Sequence, residues 1–243
     1  MAQREQSIIS QNKKYIILLP HKKYFLNTLI IILYFFLAVT QLFADNELET
    51  ILKQIECTTN EKASLEAIFN KTASLNIPLE MLLPKLKEGM AKKVPCIRLI
   101  AVLEQEINYL VESRSLLLVI DPGLPLSTEQ AIWMRTSIML AKGISSSVIK
   151  TIALASSGRW KDYREATVLY LNLVQWGLPE SLSLDTIKLI LGSRLPGSDF
   201  PGILSIFIQG RKLYLSPDEI IKRIREAIPY VETILALKER VIY

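Results

Sequence analysis

From Cys96 to Leu118 the chain reads CIRLIAVLEQEINYLVESRSLLL, with Ile97, Ile100, Leu103, Ile107 and Leu110 recurring every three or four residues. That period belongs to one face of an α-helix, and no strand-type alternation competes with it. An apolar stripe of this length has to bury itself against other helices, which commits the chain to an all-α architecture. Half of the residues are hydrophobic, at 50%, so material for a core is not limiting.

The same pattern continues on both sides, punctuated by Gly, Pro and Asn. Leu48, Ile51, Leu52 and Ile55 line a first short helix, broken at Thr58-Thr59-Asn60. Glu61 to Ala73 follows, with Leu65, Ile68 and Phe69 inward, and Pro78 opens a third helix to about Glu88. Asp121-Pro122-Gly123-Leu124-Pro125 is the strongest break in the chain. Beyond it Ser127 or Thr128 is expected to cap a helix running to Lys142. Further helices are predicted over Ser145–Ala155, Trp160–Trp176, Ser183–Leu191, Gly202–Gln209 and Pro217–Glu239, with Pro229 placed to kink or divide the last. The expected layout is an N-terminal hydrophobic targeting segment over residues 1–44 and a single helical domain over 45–243, with a division near 121–126.

Several turns share a local form. Leu75-Asn76-Ile77-Pro78, Lys142-Gly143-Ile144-Ser145 and Trp176-Gly177-Leu178-Pro179 each end one helix, then place an apolar residue before a Pro or a small residue. Ile144 and Leu178 stand 34 residues apart, and Ile77 and Ile144 stand 67 apart, close to twice that interval. The stretch after Arg211-Lys212-Leu213 echoes that after Lys92-Lys93-Val94, a basic pair entering a turn and a Pro-initiated helix. The spacing predicts short amphipathic helices in tandem hairpin-like units, each covering its neighbour's apolar face.

The N-terminal segment reads FLNTLIIILYFFLAVTQLF from Phe25 to Phe43, preceded by His21-Lys22-Lys23 and followed by Ala44-Asp45-Asn46. A basic flank, an apolar stretch and a small residue before a polar start describe a secretory signal peptide. Leu42, three positions before the expected cut, is larger than that site prefers. Tyr24 to Ala44 is also long enough to serve as a membrane anchor, so both readings are open. In either, the positive flank stays in the cytoplasm and the remainder is exported: periplasmic or secreted, or held at the inner membrane. The net charge of +5 is concentrated here, where Arg4, Lys13, Lys14, Lys22 and Lys23 face Glu5 alone. The rest is nearly neutral, which removes a net-charge argument for nucleic acid as partner.

Cys57 and Cys96 are the only thiols. Export permits them to pair, and two separately buried cysteines are the alternative.

The run Ile77-Pro78, Lys85, Glu88, Gly89, Ala91, Lys92, Val94, Pro95 and Arg98 resembles a K-x-x-E-G-x-A-K-x-V-P segment of uncharacterised exported bacterial helical proteins. The resemblance covers about 25 residues. It implies export and repetition, and no activity.

Chemistry is sparse. The single histidine is His21, inside the leader, so imidazole-based nucleophilic and metal centres have no residue to use in the exported part. No cofactor is expected. Two ligand-binding candidates are formed from the remaining side chains. Glu88 stands beside Lys85, Lys92 and Lys93, either in a basic pocket or in ordinary surface ion pairs. Trp160, Asp162, Tyr163, Arg164 and Glu165 make the densest polar and aromatic patch, suited to a glycan or peptide surface unless the aromatics dock a helix start. Basic residues such as Arg211, Lys212, Lys222, Arg223 and Arg225 lie outside the cytoplasm in this reading, where anionic lipid or wall polymer is their natural counterpart. The expected function is a non-enzymatic helical scaffold or interaction module of the cell envelope, with a protein or peptide partner and membrane contact through Tyr24–Ala44. The alternatives are an envelope hydrolase using acidic side chains and a single-pass membrane-anchored accessory protein.

Overall fold

Capping chemistry sets where the helices begin. Thr58 accepts from Glu61 N at 3.3 Å while the Glu61 carboxylate accepts from Thr58 N at 2.9 Å, a reciprocal box that opens a helix at Thr59. The Thr58-Thr59-Asn60 break is therefore a helix start. Ser145, Ser216 and Thr233 cap in the same way, each side chain accepting from the third backbone N–H beyond it.

The computed structural model describes residues 47–243. Residues 47–54 form a helix, α1, in a unit of their own, and Ile55–Tyr243 form the other unit. The second unit contains α2 (Thr59–Ser74), α3 (Leu83–Ala91), α4 (Cys96–Ile120), α5 (Gln130–Ala141), α6 (Ser146–Ser156), α7 (Trp160–Gln175), α8 (Glu180–Leu191), α9 (Phe200–Lys212), α10 (Pro217–Ala227) and α11 (Ile234–Ile242). Among the described residues the fold is all-α, with eleven helices and no strand. None of those helices is long and apolar enough to cross a membrane. The predicted targeting segment, residues 1–44, lies outside the described residues.

Helix packing follows a regular rule. α5 packs on α7, α7 on α9 and α9 on α11, while α4 contacts α6, α6 contacts α8 and α8 contacts α10. From α4 to α9 each helix thus touches the one two steps ahead. α4 and α5 share the most extensive contact, joined by the Trp133 indole, which donates to Leu110 O at 2.7 Å. The core runs through Leu103, Ile107, Leu110, Trp133, Ile152, Tyr163, Tyr170, Ile187, Ile203, Phe207 and Ile224, all essentially without solvent contact. Burying a side chain of this class is worth roughly 1.5–3 kcal/mol relative to exposing it.

Five turns end their helices identically. Asn76, Lys93, Gly143, Gly177 and Tyr214 take φ of +52°, +52°, +79°, +94° and +62°. The next residue closes a long hydrogen bond five positions back: Ile77 N to Thr72 O at 3.1 Å, Val94 N to Gly89 O at 2.9 Å, and Ile144, Leu178 and Leu215 to Met139, Leu173 and Gly210 at 3.0 Å. This left-handed close satisfies carbonyls that a helix end leaves orphaned. The residue after that, Pro78, Pro95, Ser145, Pro179 or Ser216, is the N-cap of the following α- or 3₁₀-helix.

Several sequence expectations shift in register. The third helix does not start at Pro78: a 3₁₀ turn over Leu79–Met81 intervenes, and α3 begins at Leu83 with Pro84 in its first turn. Neither Ser127 nor Thr128 caps α5, because the Thr128 hydroxyl donates to Pro125 O at 3.0 Å. The echo at Arg211-Lys212-Leu213 sits two residues early, since the counterpart of the left-handed Lys93 is Tyr214. On α4 the inward stripe runs through Leu99, Leu103, Ile107, Leu110 and Leu117, whereas Ile97 is 68% exposed. Pro229 divides the last predicted helix into α10 and α11 through a 3₁₀ turn at Ile228–Tyr230.

Candidate functional site

The head of α7 carries the patch singled out from sequence. Arg159-Trp160 begins the helix, and local chemistry puts Asp162 in the first turn, where an anion complements the exposed N–H groups. Asp162 Oδ2 lies 3.1 Å from the Arg159 guanidinium, and its side chain is only 17% exposed. The other side of Asp162 meets Gly197, where an added Cβ would fall 2.5 Å from Oδ1. A second Arg159 nitrogen donates to Leu191 O at the end of α8.

The aromatics are equally committed. The Trp160 indole donates to Asp121 Oδ2 at 3.1 Å, and its ring meets that of Tyr163 edge-on with centroids 5.4 Å apart. Tyr163 has no solvent contact, and its hydroxyl shares a 2.8 Å hydrogen bond with Thr136 on α5. Burial pushes the Tyr163 phenol up to about 12, against a smaller opposing effect of the Thr136 hydrogen bond. Arg164 and Glu165 pair with each other at 2.9 Å. The structure therefore brings Trp160, Asp162 and Tyr163 together as a joint between α7 and the connectors on either side.

Glu88 and Lys92 lie at the other predicted position, the end of α3. The Glu88 carboxylate is 2.6 Å from Lys92 Nζ and 3.7 Å from Lys85 Nζ. The Lys92 hydrogen bond, followed by the charges of Lys92 and Lys85, holds Glu88 below the usual carboxylate range. This is an exposed, ionised pair of the kind worth little to stability. Lys93 serves the turn as its left-handed residue. Glu106 on α4 behaves in the opposite way: burial raises its carboxyl despite the opposing charge of Lys85.

Cys57 and Cys96 are joined by a disulfide, with Cα atoms 5.8 Å apart. Together with the Glu61 carboxylate their sulfurs form a group within 4.8 Å, the only arrangement of metal-ligand type among the described residues. Its atoms are already used. The sulfurs bond to each other, and Glu61 accepts from Thr58 N and from the Thr58 hydroxyl at 2.8 Å.

What the sequence did not single out is a series of side-chain tethers along the connectors. Arg114 donates to Leu75 O at 2.9 Å, Ser146 to Glu112 at 3.4 Å, Trp160 to Asp121, Arg159 to Leu191 O, Arg194 to Glu232 at 3.4 Å, and Asp199 accepts from Ile234 N at 2.9 Å. These contacts span 39, 34, 39, 32, 38 and 35 residues. The detectable signal was the interval of 34 between Ile144 and Leu178, which has the same length.

No protein-family model, characterised protein or solved structure matches the chain.

Proposed function

We propose that the chain is an exported helical-repeat module of the cell envelope that works by binding a protein or peptide partner, with tandem hairpins as its building units. The observation that carries the reading is that six side-chain hydrogen bonds span 32 to 39 residues, while those of Trp133, Tyr163 and Arg223 span 18 to 27, so that contacts run chiefly between neighbouring segments. The five like turns and the packing of α4 to α9, each on the helix two steps ahead, support the same arrangement.

An array of this kind recognises partners through side chains repeated along a layer. On α5, α7 and α9 the part-covered Met134, Ile138, Val168 and Leu204 and the exposed Ile208 supply apolar contact, with Arg135 supplying charge. Export rests on the leader reading of residues 1–44. The polar patch at the head of α7 supports a contact role over catalysis, because its acidic side chains Asp162 and Glu165 are paired with Arg159 and Arg164.

The test is a photo-crosslinking residue placed at Ile208 and, as control, at Val119, in cells of the host. A discrete adduct from position 208, lost when Leu204 is changed to Asp with helicity retained, is the expected result. Absence of any adduct from position 208 in the envelope fraction, or recovery of the intact leader-bearing chain from cytoplasm alone, overturns the proposal.

A further inference from the structure

Of the five like turns, the one between α9 and α10 carries a side chain the fold does not call for. Gly143 and Gly177 suit a positive φ because they lack a Cβ, and Asn76 tolerates it. Lys93 and Tyr214 adopt it with a full side chain, at φ +52° and +62°, and of the two Tyr214 carries the bulky aromatic, 98% exposed. A bulky aromatic held in strained backbone and projected into solvent contributes nothing to packing, and strain of this kind collects at functional positions.

The surroundings of Tyr214 share a chemistry. Leu213 precedes it, 52% exposed, and Arg211 and Lys212 close α9. The Arg211 guanidinium lies 5.5 Å from the centroid of the part-exposed Trp176 ring, which itself packs on Phe207. Ile242 reaches Gly210, four residues before Tyr214, and the Tyr243 that follows it is exposed. Asp218 and Glu219 are the nearby acidic groups at the head of α10, and Glu219 is taken up by Arg223 at 3.1 Å.

We propose that this tip docks on an anionic bilayer surface. Leu213, Tyr214 and Tyr243 enter the boundary between headgroups and acyl chains, and Arg211 and Lys212 meet the lipid phosphates. Trp and Tyr rings mixed with Leu and flanked by Arg and Lys are the composition that partitions to the membrane–water interface. Tyr214, in the tight turn between α9 and α10, is almost wholly exposed, as a side chain entering a bilayer boundary has to be. Basic side chains within a Debye length of an anionic surface are attracted to it. The inference goes beyond the scaffold reading and does not depend on it, because it concerns one turn and a lipid surface.

The test uses the full chain with a nitroxide on Leu213→Cys. The native cysteines are paired, so the added thiol is the one labelled. Val119→Cys, at an exposed position on α4, is the aqueous control. On vesicles of phosphatidylcholine with phosphatidylglycerol, accessibility to oxygen relative to an aqueous nickel chelate is expected to rise severalfold at position 213 and to stay constant at position 119. Tyr214→Gly, which relieves the positive φ and leaves the fold in place, is expected to reduce that rise severalfold at unchanged helicity. The proposal is overturned if position 213 remains aqueous while the chain sediments with vesicles, if insertion is equal on neutral phosphatidylcholine, or if Tyr214→Gly leaves it unchanged. Shielding that grows with protein concentration in the absence of lipid would assign the tip to a second copy of the chain and overturn it as well.

Discussion

The Trp160 indole N–H donates to Asp121 Oδ2 at 3.1 Å, tying the head of α7 to the connector before α5 across 39 residues. Asp121 serves twice, because its other oxygen accepts from Gly123 N at 3.0 Å and shapes its own turn. Trp160→Phe keeps an aromatic ring against Tyr163 and removes only the donor. Unfolding in urea should show a loss of about 1.5–3 kcal/mol, the usual range for a hydrogen bond to a charged acceptor. Asp121→Ala should cost more, and Trp160→Phe made in that background should cost less than it does alone.

The disulfide closes a loop of 39 residues between Cys57 and Cys96. On the chain-entropy account, reduction should lower stability by about 4 kcal/mol. The thermal midpoint should fall on adding reductant to the parent chain. A double Cys57→Ser, Cys96→Ser variant should start at the lowered midpoint and show no further response.

Glu106 is a carboxyl that the fold prefers protonated, because burial raises it. The folded state therefore binds more protons than the unfolded state between the ordinary carboxyl value and the raised one, so stability falls as pH rises through that window. Glu106→Gln should be more stable than the parent at neutral pH. The difference should vanish below the unfolded carboxyl value, as read from denaturant midpoints at pH 4 and pH 7.

Gly210 lets α9 approach α10 closely. A Cβ there would fall 2.6 Å from Ile220 Cδ1 and 2.8 Å from Cγ1 of the same fully buried side chain. Gly210→Ala should destabilise by roughly 1–3 kcal/mol despite the better helix propensity of Ala. Gly89→Ala presses instead on the Leu99 methyl at 2.5 Å, the far end of a flexible side chain, and should cost less in the same unfolding assay.

The helices were readable from the sequence because their ends are local devices. Asn76-Ile77-Pro78, Gly143-Ile144-Ser145 and Gly177-Leu178-Pro179 each hold the left-handed residue, the apolar residue and the next N-cap in three consecutive positions. The corresponding turn at Tyr214 was misplaced by two residues because an aromatic stands where Gly or Asn is ordinarily found. Ile97 misled for a different reason. An apolar residue at helical spacing marks a face, yet the phase of that face depends on which neighbour covers it, and the cover lies over Leu99.

The site was less legible. Trp160, Asp162 and Tyr163 crowd together in sequence, and that crowding is compatible with a binding surface or with a joint. Their partners Asp121, Gly197 and Thr136 lie at least 27 residues away, in other connectors and another helix. By itself the sequence determined the all-α class and the form of most turns, because backbone conformation, capping and apolar period are settled within a few residues. Only the tertiary structure decided which polar groups were free to meet a ligand and which were spent holding one connector to the next. Hydrogen-bond partners are matched in space, and their separation along the chain is set by how the helices stack.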